Sequence, residues 1–137
     1  AAERATIRDH ERLLDLVSRM KETHEEGKEE DASDLDSRFH MTIVEASYNR
    51  TLIHTMTSLY DLNRQSIFFS RRELFESSRV ASDLLQQHEA IANAIVSGAS
   101  AEAERQAMEH VDYVRDALLA TLRRRQREDV SRKREAL

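Results

Sequence analysis

Apolar positions in this 137-residue chain recur at spacings of three and four rather than alternating, which predicts amphipathic helices from end to end. Ile7, Leu13, Leu14, Val17 and Met20 form the first stripe, and the polar run Glu25-Glu26-Gly27-Lys28-Glu29-Glu30 closes it. A second helix is expected to start from a cap at Asp31 or Ser33, with Phe39, Ile43, Val44 and Ala46 turned inward. Ser47-Tyr48-Asn49 breaks the pattern, and Asn49 suits the cap of a third helix. That helix should run from about residue 50 to 69 on the stripe Leu52, Ile53, Met56, Leu59, Tyr60 and Ile67. Periodicity weakens between Ser70 and Ser82, where a loop or helix break is expected. Leu84, Leu85, Ile91, Ala92 and Ile95 mark a fourth helix ended by Ser97-Gly98, with Gly98 as a left-handed terminator. Ser100 is placed as the cap of a fifth, carrying Ala103, Ala107, Val114, Ala117 and Leu118.

Composition sharpens this to an all-α fold. With no proline, two glycines and 5% aromatics, the chain lacks the turn and strand chemistry a sheet needs, and 39% hydrophobic residues suit one domain with a modest core. No apolar run is long enough to span a bilayer and no secretory leader is visible, so no membrane partner is expected and the cytoplasm is the default location. The absence of cysteine adds nothing. The net charge of -5 is uneven. Residues 123 to 134 hold seven of the 21 basic side chains, whereas residues 1 to 122 carry 14 Lys+Arg against 23 Asp+Glu, a net of -9. The acidic part should repel a phosphate backbone. The basic end reads more simply as a solvated helix terminus whose cations complement the helix dipole. The expected division is therefore a domain over 1–122 and a basic helix end or tail over 123–137.

Candidate chemistry lies in the histidines. Asp36 and His40 are one turn apart, so carboxylate and imidazole stack on one side of a helix. His88 falls between Leu84/Leu85 and Ile91/Ile95, and His110 between Ala107 and Val114, both on apolar faces. His54 and His24 sit among polar neighbours and read as solvated, while His10 shares the stripe of Ile7, Leu14 and Val17 and is left unassigned. A lone histidine on an apolar face is usually a hydrogen-bonded core residue. Three with an aspartate are costly to bury unless each finds a partner, and one divalent ion would satisfy all four. From spacing alone, both readings stand.

Asp36-Ser37-Arg38-Phe39-His40, with Ile43, Ala46 and Asn49-x-x-Leu52, resembles the D-x-x-F-H…N-x-x-L signature of the FCD domain, the effector-binding domain of FadR-subfamily GntR transcription regulators. His88-Glu89-Ala90-Ile91 with Ala94-Ile95, Gly98, Ala103 and His110 resembles the signature at the other end of that domain, and Ala1 to Thr6 is similar to its first helix. The resemblance covers residues 1 to about 122. It implies an antiparallel bundle of about six helices in which Asp36, His40, His88 and His110 hold one divalent metal, zinc foremost, with manganese or nickel as alternatives. Four protein ligands on an ion that accepts five or six leave room for a carboxylate effector.

Thr55-Met56, Asp61, Ser66 and Ser70-Arg71 further resemble the members that answer to lactate, glycolate or pyruvate, so a lactate-like hydroxy acid is the expected effector. Asn63, Arg64, Ser66 and Arg71 are its expected contacts, with Arg72 a further cation nearby. The resemblance also implies a homodimer and an N-terminal winged helix-turn-helix, absent from this chain, through which DNA is bound. A metal-dependent hydrolase or oxygenase is the rival class. Against it, position 92 is Ala92 where an H-E-x-x-H motif needs its second histidine, and no E-x-x-H pair occurs. The chain is therefore expected not to be an enzyme.

Overall fold

The computed structural model describes the backbone of residues 1–27 and 29–135, and their side chains apart from 29–31, 62–73, 133 and 135. It is all-α, with helices α1 Ile7–Glu26, α2 Glu29–Glu45, α3 Arg50–Phe75, α4 Ser78–Val96 and α5 Ser100–Glu135. Helix α1 packs along α2 and α4, α2 against α3, and α4 against α5. The described residues thus form five helices where about six were expected. Residues 1–5 make one hydrogen-bonded turn, Arg4 and Ala5 N–H donating to the Ala1 carbonyl at 2.8 Å, and Thr6 then leaves helical geometry to become the cap of α1.

Three expected boundaries move. Helix α2 begins at Glu29, so Ser33 is a fully buried interior residue rather than a cap. Helix α3 runs on to Phe75, since the charged stretch at Arg71-Arg72 contains no glycine or proline to stop it. The break is confined to Glu76-Ser77, where Ser77 accepts from the Val80 N–H and caps α4. Ser100 is the first residue of α5 rather than its cap, and the basic stretch from 123 to 135 continues α5. Asn49 caps α3 as expected, its Oδ1 accepting from the Leu52 N–H at 3.1 Å. Gly98 ends α4 with φ +69.

The core joins Leu13, Leu16, Val17 and Met20 of α1, Leu35 and Phe39 of α2, and Ile91, Ala92 and Ile95 of α4. Ile7 (76% exposed) and Leu14 (44%) are not part of it. The inward face of α1 follows the 13, 16, 17, 20 spacing, and Leu14 lies about 100° away from Leu13. The α3 stripe is shallower than its composition suggested: Leu52 and Leu59 are exposed, and Ile53, Met56 and Tyr60 half-buried.

A polar clamp fixes the start of α1. Thr6 and Asp9 form a reciprocal capping box, and the buried Asp9 carboxylate also accepts from the Tyr48 hydroxyl at 2.9 Å. Tyr48 holds φ +52, a left-handed conformation costing a side-chain-bearing residue about 1 kcal/mol, so this hydrogen bond helps hold the α2–α3 corner. The Thr6 backbone N–H, more than any other group, pulls the Asp9 carboxyl below the usual carboxylate range. Folding therefore favours its charged form. The gain is complete above the unfolded carboxyl's titration and is lost as pH falls through the lower folded value. Asp9→Asn should destabilise the chain by about 1 kcal/mol at neutral pH and flatten the loss of stability below about pH 4. Matching melts of variant and wild type at pH 7 and pH 3 would refute this role.

Candidate metal centre

Three helices converge on one polar cluster inside the bundle. Helix α2 supplies Asp36 and His40 one turn apart, α4 supplies His88, and α5 supplies His110. Asp36, His88 and His110 are buried, with His88 only 1% exposed, whereas the His40 side chain is about a quarter exposed. One donor atom from each of the four lies within 4.8 Å of the others. Asp36 Oδ1 stands 3.1 Å from His88 Nε2 and 3.4 Å from His40 Nε2, and His40 Nε2 stands 3.3 Å from His110 Nε2.

These separations can be tested against a bound ion. Donors about 2.1 Å from a common metal lie about 3.0 Å apart at adjacent octahedral corners and about 3.4 Å apart at tetrahedral ones. The three distances fall on that interval. The protonation pattern also fits. His110 Nδ1 stands 2.8 Å from Gln87 Oε1, an acceptor that favours the tautomer with its proton on Nδ1, and in the neutral ring of that tautomer the Nε2 lone pair faces His40. An imidazole nitrogen offered inward while the outer N–H is held by an oxygen is the usual arrangement of a metal-ligating histidine. The donor set is one carboxylate with three imidazoles, a combination able to hold a divalent first-row metal ion.

Aromatic packing holds the rings. Phe39, wholly buried, lies edge-on to His40 at 5.5 Å and tilted against His88 at 4.9 Å between centroids. The histidine rings pack on each other at 4.7–5.3 Å. Tyr113 fastens α5 to α4 by donating to Asp83 Oδ2 at 2.6 Å, and burial together with that carboxylate pushes its hydroxyl up to about 12. Lys21 and Glu89 link α1 to α4 at 2.5 Å.

Cavities flank the cluster on two sides. One of about 130 Å³ lies between α1 and α4, bordered by Met20, Thr23, Phe75, Leu85 and His88. The other, about 470 Å³, is bordered by His40, His110, Ser47, Asn49 and Arg4.

The structure brings all four sequence-selected residues together and leaves His24 and His54 on the surface. His10 is half-buried on α1, its Nε2 shut away from solvent. The side chains of Asn63, Arg64, Ser66, Arg71 and Arg72 lie outside the described residues. Gln87 was not selected from sequence. Its place beside His88 was the only clue, and its reach to His110 depends on how α4 meets α5.

The chain is similar to several transcription regulators. It is 37% identical over 83 residues to a regulatory protein of the L-lactate dehydrogenase operon from Escherichia coli (strain K12), covering 61% of this chain and 32% of that protein. It is 31% identical over 119 residues to the HTH-type transcriptional regulator LutR of Bacillus subtilis (strain 168), covering 86% and 53%. It is 36% identical over 84 residues to the Glc operon transcriptional activator of Escherichia coli (strain K12), covering 61% and 33%. The chain thus spans between a third and about half the length of these relatives. The FCD domain signature matches residues 1–113, most of the chain, and the chain therefore belongs to the FCD domain family.

Proposed function

We propose that this chain is the ligand-sensing domain of a transcription regulator, and that it holds one divalent metal to which a small carboxylate effector binds. The convergence of Asp36, His40, His88 and His110 from three helices carries this reading. One carboxylate against a divalent ion leaves the centre with a net charge of about +1, so an anionic ligand is attracted where a cation is repelled. Four protein donors leave one or two coordination positions open. An α-hydroxy or α-keto acid can fill two adjacent positions with its carboxylate and neighbouring oxygen, which favours a lactate-like acid over a simple fatty acid.

The similarity to a regulatory protein of the L-lactate dehydrogenase operon supports the same class of ligand. Asn63, Arg64, Ser66 and Arg71 of α3 are the proposed effector contacts, and zinc the first choice of metal. Binding would draw helices α2, α4 and α5 together around the ion, and a homodimer would pass that change to winged helix-turn-helix heads in the cytoplasm. Residues 1–122 would be the sensing unit.

Among the described residues no helix is long and apolar enough to cross a membrane. Among the described residues the cluster has no separate acid or base poised for turnover, which favours holding a ligand over transforming it.

The test is a thermal melt of the metal-loaded chain against lactate, glycolate, pyruvate, malate, citrate and acetate. A ligand present at about a hundred times its Kd stabilises by about 2.7 kcal/mol, so one hydroxy or keto acid should raise the midpoint by several degrees. His88→Ala should abolish that rise. Equal, negligible shifts for all six acids on metal-loaded protein would sink the effector reading, and turnover of any of them would revive the enzyme.

A further inference from the structure

The far end of α5 leaves the bundle. From Leu122 onward every described residue is exposed, and past Arg124, which still borders a cavity beside Leu74, Glu76, Ser77 and Val80, the helix runs on for about 16 Å. Its charge is not spread evenly around the axis. Arg123, Arg127 and Arg134 fall within about 40° of one another at 100° per residue, and with Gln126, Val130 and Ser131 they line one shallow groove along the helix. The acidic residues Glu128, Asp129 and Glu135 lie about 100° or more from the middle of that face. Other arginines there are already engaged: Arg124 faces Glu128 at 3.9 Å and Arg132 bonds Asp129 at 3.0 Å. Among the described residues, no carboxylate lies within ion-pair distance of Arg123, Arg127 or Arg134.

A merely solvated helix end has no reason to sort its acids to one side and leave three guanidinium groups without an ion pair among the described residues on the other. We propose that the face of α5 formed by Arg123, Arg127 and Arg134 is a docking surface for the sugar-phosphate backbone of duplex DNA. Arginine is the residue type whose planar fork meets phosphate oxygens two at a time. The row spans about 16 Å, the axial rise of about five phosphates on one strand, and Gln126 and Ser131 add neutral donors between the guanidinium groups. The net of -9 on residues 1–122 works against any broad electrostatic attraction, so contact would be confined to this rod. The contact carries no sequence preference, because it reaches no base edges. It goes beyond the metal-anchored sensing reading and does not depend on it.

The test uses the whole chain and a labelled 30-base-pair duplex at low salt, titrated by fluorescence anisotropy. Two variants with the same charge change are compared: Arg123→Gln/Arg127→Gln/Arg134→Gln, and Arg124→Gln/Arg125→Gln/Arg132→Gln. Circular dichroism confirms that α5 stays helical in both. The first variant should bind at least ~10-fold more weakly than wild type, with a log K against log[salt] slope shallower by about 2–3. The second should stay within about threefold of wild type. Equal losses in the two variants would reduce the effect to net charge and overturn the proposal. So would absence of duplex binding by wild type at 50 mM salt, or tighter binding to phosphatidylserine vesicles than to the duplex.

Discussion

Removing divalent metal with a chelator is expected to lower the thermal midpoint of the chain by on the order of 10–20 °C, reversibly on adding zinc, manganese or nickel. An ion present at about a thousand times its Kd contributes about 4 kcal/mol, and a domain of this size shifts by a few degrees per kcal/mol. The effect is large because the ion would join α2, α4 and α5, which otherwise meet at this point through Asp36 and three histidines packed at 3.1–3.4 Å. Without an ion, those groups keep their hydrogen bonds only by sharing protons. His88→Ala should melt at the same temperature with and without added metal. Gln87→Ala should keep the site but weaken metal binding by about 10- to 100-fold, because it removes the oxygen that sets the His110 tautomer. A wild-type melt indifferent to chelator and to all three metals would remove the metal from the account.

The second large effect is expected at Phe39. This ring is completely buried and lies at the junction of the apolar core with the histidine cluster, 4.9 Å from His88 and 5.5 Å from His40. Phe39→Ala should cost about 3–5 kcal/mol, a large part of the 5–15 kcal/mol that holds an ordinary domain together. Phe39→Leu keeps most of the volume and should cost about 1–1.5 kcal/mol, leaving the chain folded. The useful measurement is metal affinity in that milder variant. If Phe39 braces the imidazoles, metal binding weakens along with stability. If affinity is unchanged while the midpoint falls, Phe39 serves the core alone.

The all-helical class and the main helices were legible in the chain itself. Apolar spacing marked α1, α2 and α4, and Asn49 and Gly98 ended up as the terminators their chemistry suggested. These features depend on a few neighbouring residues, so local sequence is enough to determine them. The four candidate ligands were legible for a related reason. Each is a polar side chain on an otherwise apolar helical face, and Asp36 and His40 share one turn.

The apolar pattern alone did not show how far helices run, and no local segment decides which stripes find a partner. Arg71-Arg72 looked like a break, yet helical propensity with no glycine or proline carried α3 to Phe75. Ile7, Leu52 and Leu59 have the same apolar character as Leu13 or Ile91 but remain exposed, because burial is settled by which helix lies opposite. Gln87 beside His110, Tyr48 beside Asp9 and Tyr113 beside Asp83 join residues 23 to 39 positions apart. The sequence by itself determined the helical class, the cap at Asn49, the left-handed end at Gly98 and the residue types of the candidate cluster. Only the tertiary structure placed the donor atoms of Asp36, His40, His88 and His110 within 4.8 Å, since distance between helices is a property of packing and not of any one segment.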